Sequence, residues 1–144
     1  MLELFAINAA VITGLMLAVW LISLPLRDVS IIDLVWGLGF VLVAWASVFA
    51  SEPTARHWLP VALATIWGVR LSGYLAWRNH GQPEDSRYRA MRDKHGARFP
   101  WISLVTVFGL PGVIMWIVSL PLQLAHVNIG ATTGGLAIAG VVLF

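Results

Sequence analysis

The sequence predicts an all-α protein, a polytopic bundle of membrane-spanning helices. Three observations predict it. Several apolar runs reach about 20 residues, the length that crosses a bilayer as a helix. The composition is 59% hydrophobic and only 11% charged over 144 residues, with mean hydropathy +0.83, against roughly 25% charged in a soluble domain. Finally, charge is segregated. Of 9 Lys and Arg residues, Arg78, Arg87, Arg89, Arg92, Lys94 and Arg98 fall in one connector between apolar runs, WRNHGQPEDSRYRAMRDKHGARFPW.

Four runs read as full spans: Leu4–Leu26, Val29–Ala50, Trp58–Trp77 and Trp101–Ala125. In hydrocarbon a backbone must satisfy its own hydrogen bonds, so each should be helical. A fifth run, Val127–Phe144, is Gly-rich and lacks a polar flank, so it reads as a helix truncated by the chain end. The first run has no basic leader, and it exceeds the roughly 7–15 apolar residues of a signal peptide, so it reads as a retained helix. Trp58, Trp77 and Trp101 fall at predicted helix ends, where indoles favour the headgroup layer. Gly109-Leu110-Pro111-Gly112 predicts a break in the fourth span, because proline removes a backbone donor. Gly68 with Ser72, and Gly135 with Ala139, are small pairs that permit close helix contact.

Within the connector, Gly81-Gln82-Pro83 ends the third helix. Asp85 or Ser86 then caps a short amphipathic helix that stops near Gly96. Tyr88, Met91 and His95 share one face of it, with Arg89 and Arg92 on another. Glu84 and Asp85 are placed to pair with these arginines or to cap the helix. No repeat or linker interrupts the chain, so residues 1–144 read as a single membrane domain.

Short loops rich in Arg and Lys stay in the cytoplasm. Residues 78–100 and the Arg27-Asp28 turn are therefore expected inside. The N-terminus, the Glu52–His57 loop and the His126–Asn128 turn are expected outside, where Arg56 is the sole basic residue. Because basic residues are confined to a connector, a nucleic-acid partner is not expected. The partners predicted are the bilayer and a lipid-like or steroid-like small molecule. Cysteine is absent, which excludes a disulfide framework and a thiol nucleophile. His57, His80, His95 and His126 show no metal-ligand spacing, and no Gly-rich phosphate loop occurs.

Two charges sit inside predicted spans. Asp33 lies roughly 7–8 Å into its helix, counted from Asp28, and Arg70 roughly 12 Å in, counted from Arg78, at 1.5 Å per residue. Such groups are costly in lipid, about 2.5–3.5 kcal/mol at the centre on insertion scales, and usually face a bundle interior or wet cavity. One reading pairs Asp33 with Arg70. Others make Ser30 and Asp33 a capping box and let Arg70 snorkel to the interface. Asp33, Trp36, Gly37 and Phe40 share one stripe, and Trp67, Arg70, Tyr74 and Trp77 another. A polar, aromatic stripe suits either an amphiphilic substrate or aromatic packing between helices. The basic face of the connector helix suits lipid headgroups or cofactor phosphates.

The segments DVSIIDLVWGLGFVLVAW, WGVRLSGYLAWRNHGQPEDSRYRAMR, FPWISLVTVF and WIVSLPLQ resemble the bacterial steroid 5-alpha-reductase-like membrane proteins, also catalogued as domain of unknown function 1295. The resemblance runs in register over residues 28–125. It implies a helical enzyme of the bacterial inner membrane that uses NADPH to reduce a carbon–carbon double bond in a lipid-like enone. Carried onto this sequence, it makes Asp33, Arg70 and Tyr74 the catalytic candidates, lining a substrate cavity. Arg78, Arg87, Arg89 and Arg92 become the candidates for cofactor phosphates. Relatives of this kind carry their main cofactor segment, an Arg-His-Pro-Asn-Tyr-type motif, nearer the C-terminus. That motif is missing here, so the chain is expected to be the N-terminal part of a longer protein and inactive alone. Two alternatives remain open. One is a membrane methyltransferase of isoprenylcysteine type using S-adenosylmethionine. The other is a non-catalytic lipid-binding or transport-associated protein, although a transporter should show paired broken helices.

Overall fold

The structure, a computed structural model, describes residues 1–51 and 57–126. The fifth apolar run and the Gly135–Ala139 pair lie outside the described residues. The fold is all-α, with α1 Leu2–Leu26, α2 Ile31–Phe49, α3 Trp58–Asn79 and α4 Ser86–His95. A 3-10 turn at Gly96–Arg98 leads into α5 Phe99–Ser103, a π-helical stretch Leu104–Gly109, α6 Leu110–Val118 and α7 Leu120–Leu124. Four helices are long and apolar enough to span a bilayer, the fourth a composite over Ser86–Val118.

Local chemistry sets the boundaries. Arg27 closes α1 in the left-handed region (φ 51°, ψ 34°), and the N–H groups of Arg27 and Asp28 return to Leu24 and Ser23 carbonyls. Asp85 caps α4, its carboxylate accepting from Arg87 N–H at 2.9 Å. Gly96 ends that helix at φ 52°, a conformation costly for residues with a Cβ. The predicted break at Pro111 takes the form of the preceding π-helical stretch. There the helix widens by one residue per turn before the proline enters α6. The capping box at Ser30 does not form. The Ser30 side chain makes no cap bond to α2 and instead accepts from Asp85 N–H at 2.9 Å.

α2 is the central helix, packed against α3, α1, α6 and α7. Ile12 and Met16 of α1, Val43 of α2, Phe108 and Met115 of the fourth span meet in one buried cluster. At the end opposite the basic connector, polar side chains link the helices. Asn8 donates to Ser47 (2.9 Å) and to Gln123 (3.2 Å), while Gln123 donates to Ser119 (2.7 Å). Interhelical bonds of this kind average about 0.6 kcal/mol in a membrane. Trp58, Trp77 and Trp101 are exposed at helix ends, as their positions in the sequence predict.

α3 meets α2 backbone to backbone. A Cβ added at Gly37 would sit 2.5 Å from the Gly68 carbonyl oxygen and 2.7 Å from Ser72 Oγ. A Cβ at Gly68 would meet the Gly37 carbonyl oxygen at 2.5 Å. The predicted Gly68–Ser72 small pair is therefore the contact surface. Forcing a methyl group into it should cost about 1–3 kcal/mol. Gly37→Ala and Gly68→Ala are each expected to lower the melting temperature in detergent by several degrees. Gly73→Ala, with nothing within 4 Å of its added Cβ, should leave it unchanged.

Candidate functional site

The connector is held to the α1–α2 turn by one carboxylate. Glu84 accepts from Val29 N–H at 3.0 Å and from two Arg92 nitrogens at 2.7 and 3.1 Å. Its own carbonyl accepts from Arg89 at 3.1 Å. The Arg92 guanidinium lies over the buried Phe99 ring, 4.4 Å from its centroid. Tyr88 and Met91 turn inward onto the core, so the face predicted to be apolar is the one that packs. Asp85 takes Arg87 through both oxygens at 3.0 Å. Burial pushes the Glu84 carboxyl up, but the Arg92 and Val29 hydrogen bonds outweigh it and hold the group below its ordinary 4.5. The hydrogen bond from Arg87 likewise holds Asp85 low.

This clamp closes one side of a half-open cavity of about 550 Å³ at the basic end of α2 and α3. Asp28, Ser30 and Asp33 line it from the α2 side, Arg78 and Asn79 from the α3 terminus, and His80, Gln82 and Asp85 from the connector. Asp33 is a partly buried carboxyl in the first turn of a spanning helix, on the cavity wall. Arg78 is exposed, its Nε donating to Asn79 at 3.1 Å. The arrangement can hold a small polar head between a carboxyl and a guanidinium while an apolar remainder stays in lipid.

The structure separates the sequence candidates. Asp33 and Arg78 share the cavity. Arg70 and Tyr74 lie together elsewhere, on the exposed outer face of α3 beside Trp67 and Leu71. Among the described residues the ion pairs are Arg87–Asp85 and Arg92–Glu84. The Asp33–Arg70 pair weighed from the sequence is thus not made: Asp33 lines the cavity at the basic end, and Arg70 lines a separate recess with Trp67, Leu71 and Tyr74. Of the cationic candidates, Arg87, Arg89 and Arg92 are engaged within the connector, and Arg78 faces the cavity.

Two features escape sequence reading. One is Glu84 as the hub of the connector. The other is the approach of His57 and His126, both buried, with ring centroids 5.1 Å apart. His126 donates from Nδ1 to the Leu122 carbonyl at 2.8 Å. Their wide separation along the chain hides the pairing. Among the described residues, no group of three or more His, Cys, Asp or Glu is placed to hold a metal.

Two outcomes follow from this geometry. A carboxyl depressed in the folded state stabilises it fully above pH 4.5, and that contribution fades as acid titrates the folded group. Glu84→Gln should therefore lower stability near neutrality by about 1.5–3 kcal/mol, the scale of hydrogen bonds to charged groups. It should also flatten the acid limb of the melting-temperature profile. The second concerns Asp33→Asn and Arg70→Met. Their effects should add in a thermal-stability cycle, since residues without contact or shared partners are independent within about 0.3–0.5 kcal/mol.

Comparison with known proteins adds one finding. No curated protein and no solved structure matches the chain. Residues 19–144 match the family described as Protein of unknown function (DUF1295). The match takes in the fourth span as well as α2, α3 and the connector, whose residues line the cavity, and the chain belongs to that family.

Proposed function

We propose that this chain supplies the substrate-head cavity of a membrane reductase that uses NADPH to reduce a carbon–carbon double bond of a lipid-like enone. The observation that carries the reading is the carboxyl of Asp33, in the first turn of a spanning helix, on the wall of a polar cavity that Arg78 also lines. Lipid-like substrates place their polar atoms at that depth, and their apolar body remains among the helices. A protonated Asp33 carboxyl can donate a hydrogen bond to an enone oxygen, and the Arg78 guanidinium can stabilise negative charge that develops on it. Arg-rich connectors face the cytoplasm, the side from which a soluble cofactor arrives.

NADPH would supply the hydride. The described cavity suits only part of such a cofactor. A dinucleotide brings several phosphate charges, whereas the wall offers the Arg78 guanidinium beside the acidic side chains of Asp28, Asp33 and Asp85. Arg87, Arg89 and Arg92 are already engaged by Asp85 and Glu84. The cavity is accordingly assigned to the substrate head, with the phosphates held elsewhere.

The deciding experiment titrates the full-length protein in detergent with NADPH and with S-adenosylmethionine. NADPH binding is expected. Binding of S-adenosylmethionine instead would favour a methyltransferase, and binding of neither would leave a non-catalytic lipid binder. In an enone-reduction assay, Asp33→Asn and Arg78→Met should each lower kcat by about 10²-fold or more, the scale of positioned acid catalysis. NADPH affinity should stay unchanged.

A further inference from the structure

We infer that the recess formed by Trp67, Arg70 and Tyr74 on the outer face of α3 binds the carboxylate of a long-chain fatty acid. This inference does not rest on the reading of the Asp33 cavity, which opens at a different place.

The recess measures about 360 Å³ and is lined by Trp67, Arg70, Leu71 and Tyr74. Arg70 stands in neither ion pair among the described residues. Indole N–H, guanidinium and phenol O–H are all donors, and no carboxylate lines the recess. Such a surface is complementary to an acceptor-rich anion. The Trp67 ring contacts Phe40 edge-on at 5.7 Å, Tyr74 packs on Trp77 at 6.2 Å, and the Arg78 guanidinium lies 6.0 Å from the Tyr74 ring centroid.

Depth selects the anion. Arg70 lies seven residues before the exposed Trp77, about 10 Å along the helix. Helical Cβ atoms tilt toward the helix N-terminus, so the Arg70 side chain starts away from the nearer headgroup layer. A phospholipid phosphate stays in that layer. A fatty acid is limited by no glycerol and can bring its carboxylate to the guanidinium as a forked, charge-assisted pair. Its tail has a path along α3, where Leu59 and Ile66 are exposed on the same side at helical spacing. A second copy of this face is disfavoured, since it would set Arg70 near Arg70.

The test uses the full chain in nanodiscs of neutral phosphatidylcholine, with radiolabelled oleate as the probe. Saturable oleate binding is expected, at least ten-fold weaker in Arg70→Met and a few-fold weaker in Tyr74→Phe. Oleyl alcohol should fail to compete, as should phosphatidylglycerol. Unchanged oleate binding by Arg70→Met would overturn the inference. So would equal competition by oleyl alcohol, because the carboxylate would then be irrelevant. Equal competition by phosphatidylglycerol would assign the recess to headgroup phosphates and overturn it too. If Arg70→Met fails to fold, Tyr74→Phe and the two competitors on the unmutated chain decide the matter.

Discussion

The Glu84 carboxylate is the constraint on which the basic end of this molecule depends. It reaches from the connector to the Val29 N–H before α2 and to a guanidinium in α4, so one side chain joins three elements. Partly buried ion pairs are often no better than apolar replacements, because desolvation offsets the attraction. Here the balance is favourable for a structural reason. The carboxylate receives a backbone N–H and two guanidinium nitrogens, so its acceptor sites are well satisfied, and the other side of Arg92 rests on Phe99. Ser30 then accepts from Asp85 N–H. The connector thus sits against α2 and shapes the cavity that Asp33 lines.

The bundle below this clamp depends on a different device at each level. In the middle, Gly37 and Gly68 let α2 and α3 approach until backbone meets backbone, which lipid-facing side chains would prevent. At the far end, Asn8, Ser47, Gln123 and Ser119 form a buried hydrogen-bonded chain between helices. Apolar contact alone discriminates poorly between helix registers in lipid, since lipid is as apolar as leucine. Close backbone contact and buried polar bonds both require one register, and together they place Asp33 at a defined height.

Much of this architecture was legible in the sequence. The four spans among the described residues came from hydropathy, because the bilayer sets a length scale that composition must match, although the fourth, expected at Trp101–Ala125, is a composite over Ser86–Val118. The connector helix came from its caps, Asp85 and Gly96, which act through local backbone geometry. The small pair Gly68–Ser72 was legible as a contact surface, although its partner Gly37 was not. What stayed hidden depends on how helices rotate about their axes. Asp33 and Arg70 both read as charges in the same half of the membrane, and depth alone made them a plausible pair. Only rotation decides that one faces the cavity and the other the outer surface. The same holds for Ser30, whose capping signal is overridden by a tertiary bond from Asp85, and for His57 with His126.

That separation carries consequences for the chemistry. A charge inside the membrane needs a polar partner or water. For Asp33 the bundle provides an open, polar cavity that Arg78 also lines. For Arg70 it provides aromatic walls with donors and no counter-charge within the described residues. The first environment suits a group that exchanges protons or hydrogen bonds with a visiting head. The second suits a fixed anion that arrives through the lipid. An acid that shares its cavity with Arg78 and an arginine in a separate recess are better explained by two kinds of visitor than by one mutual bridge.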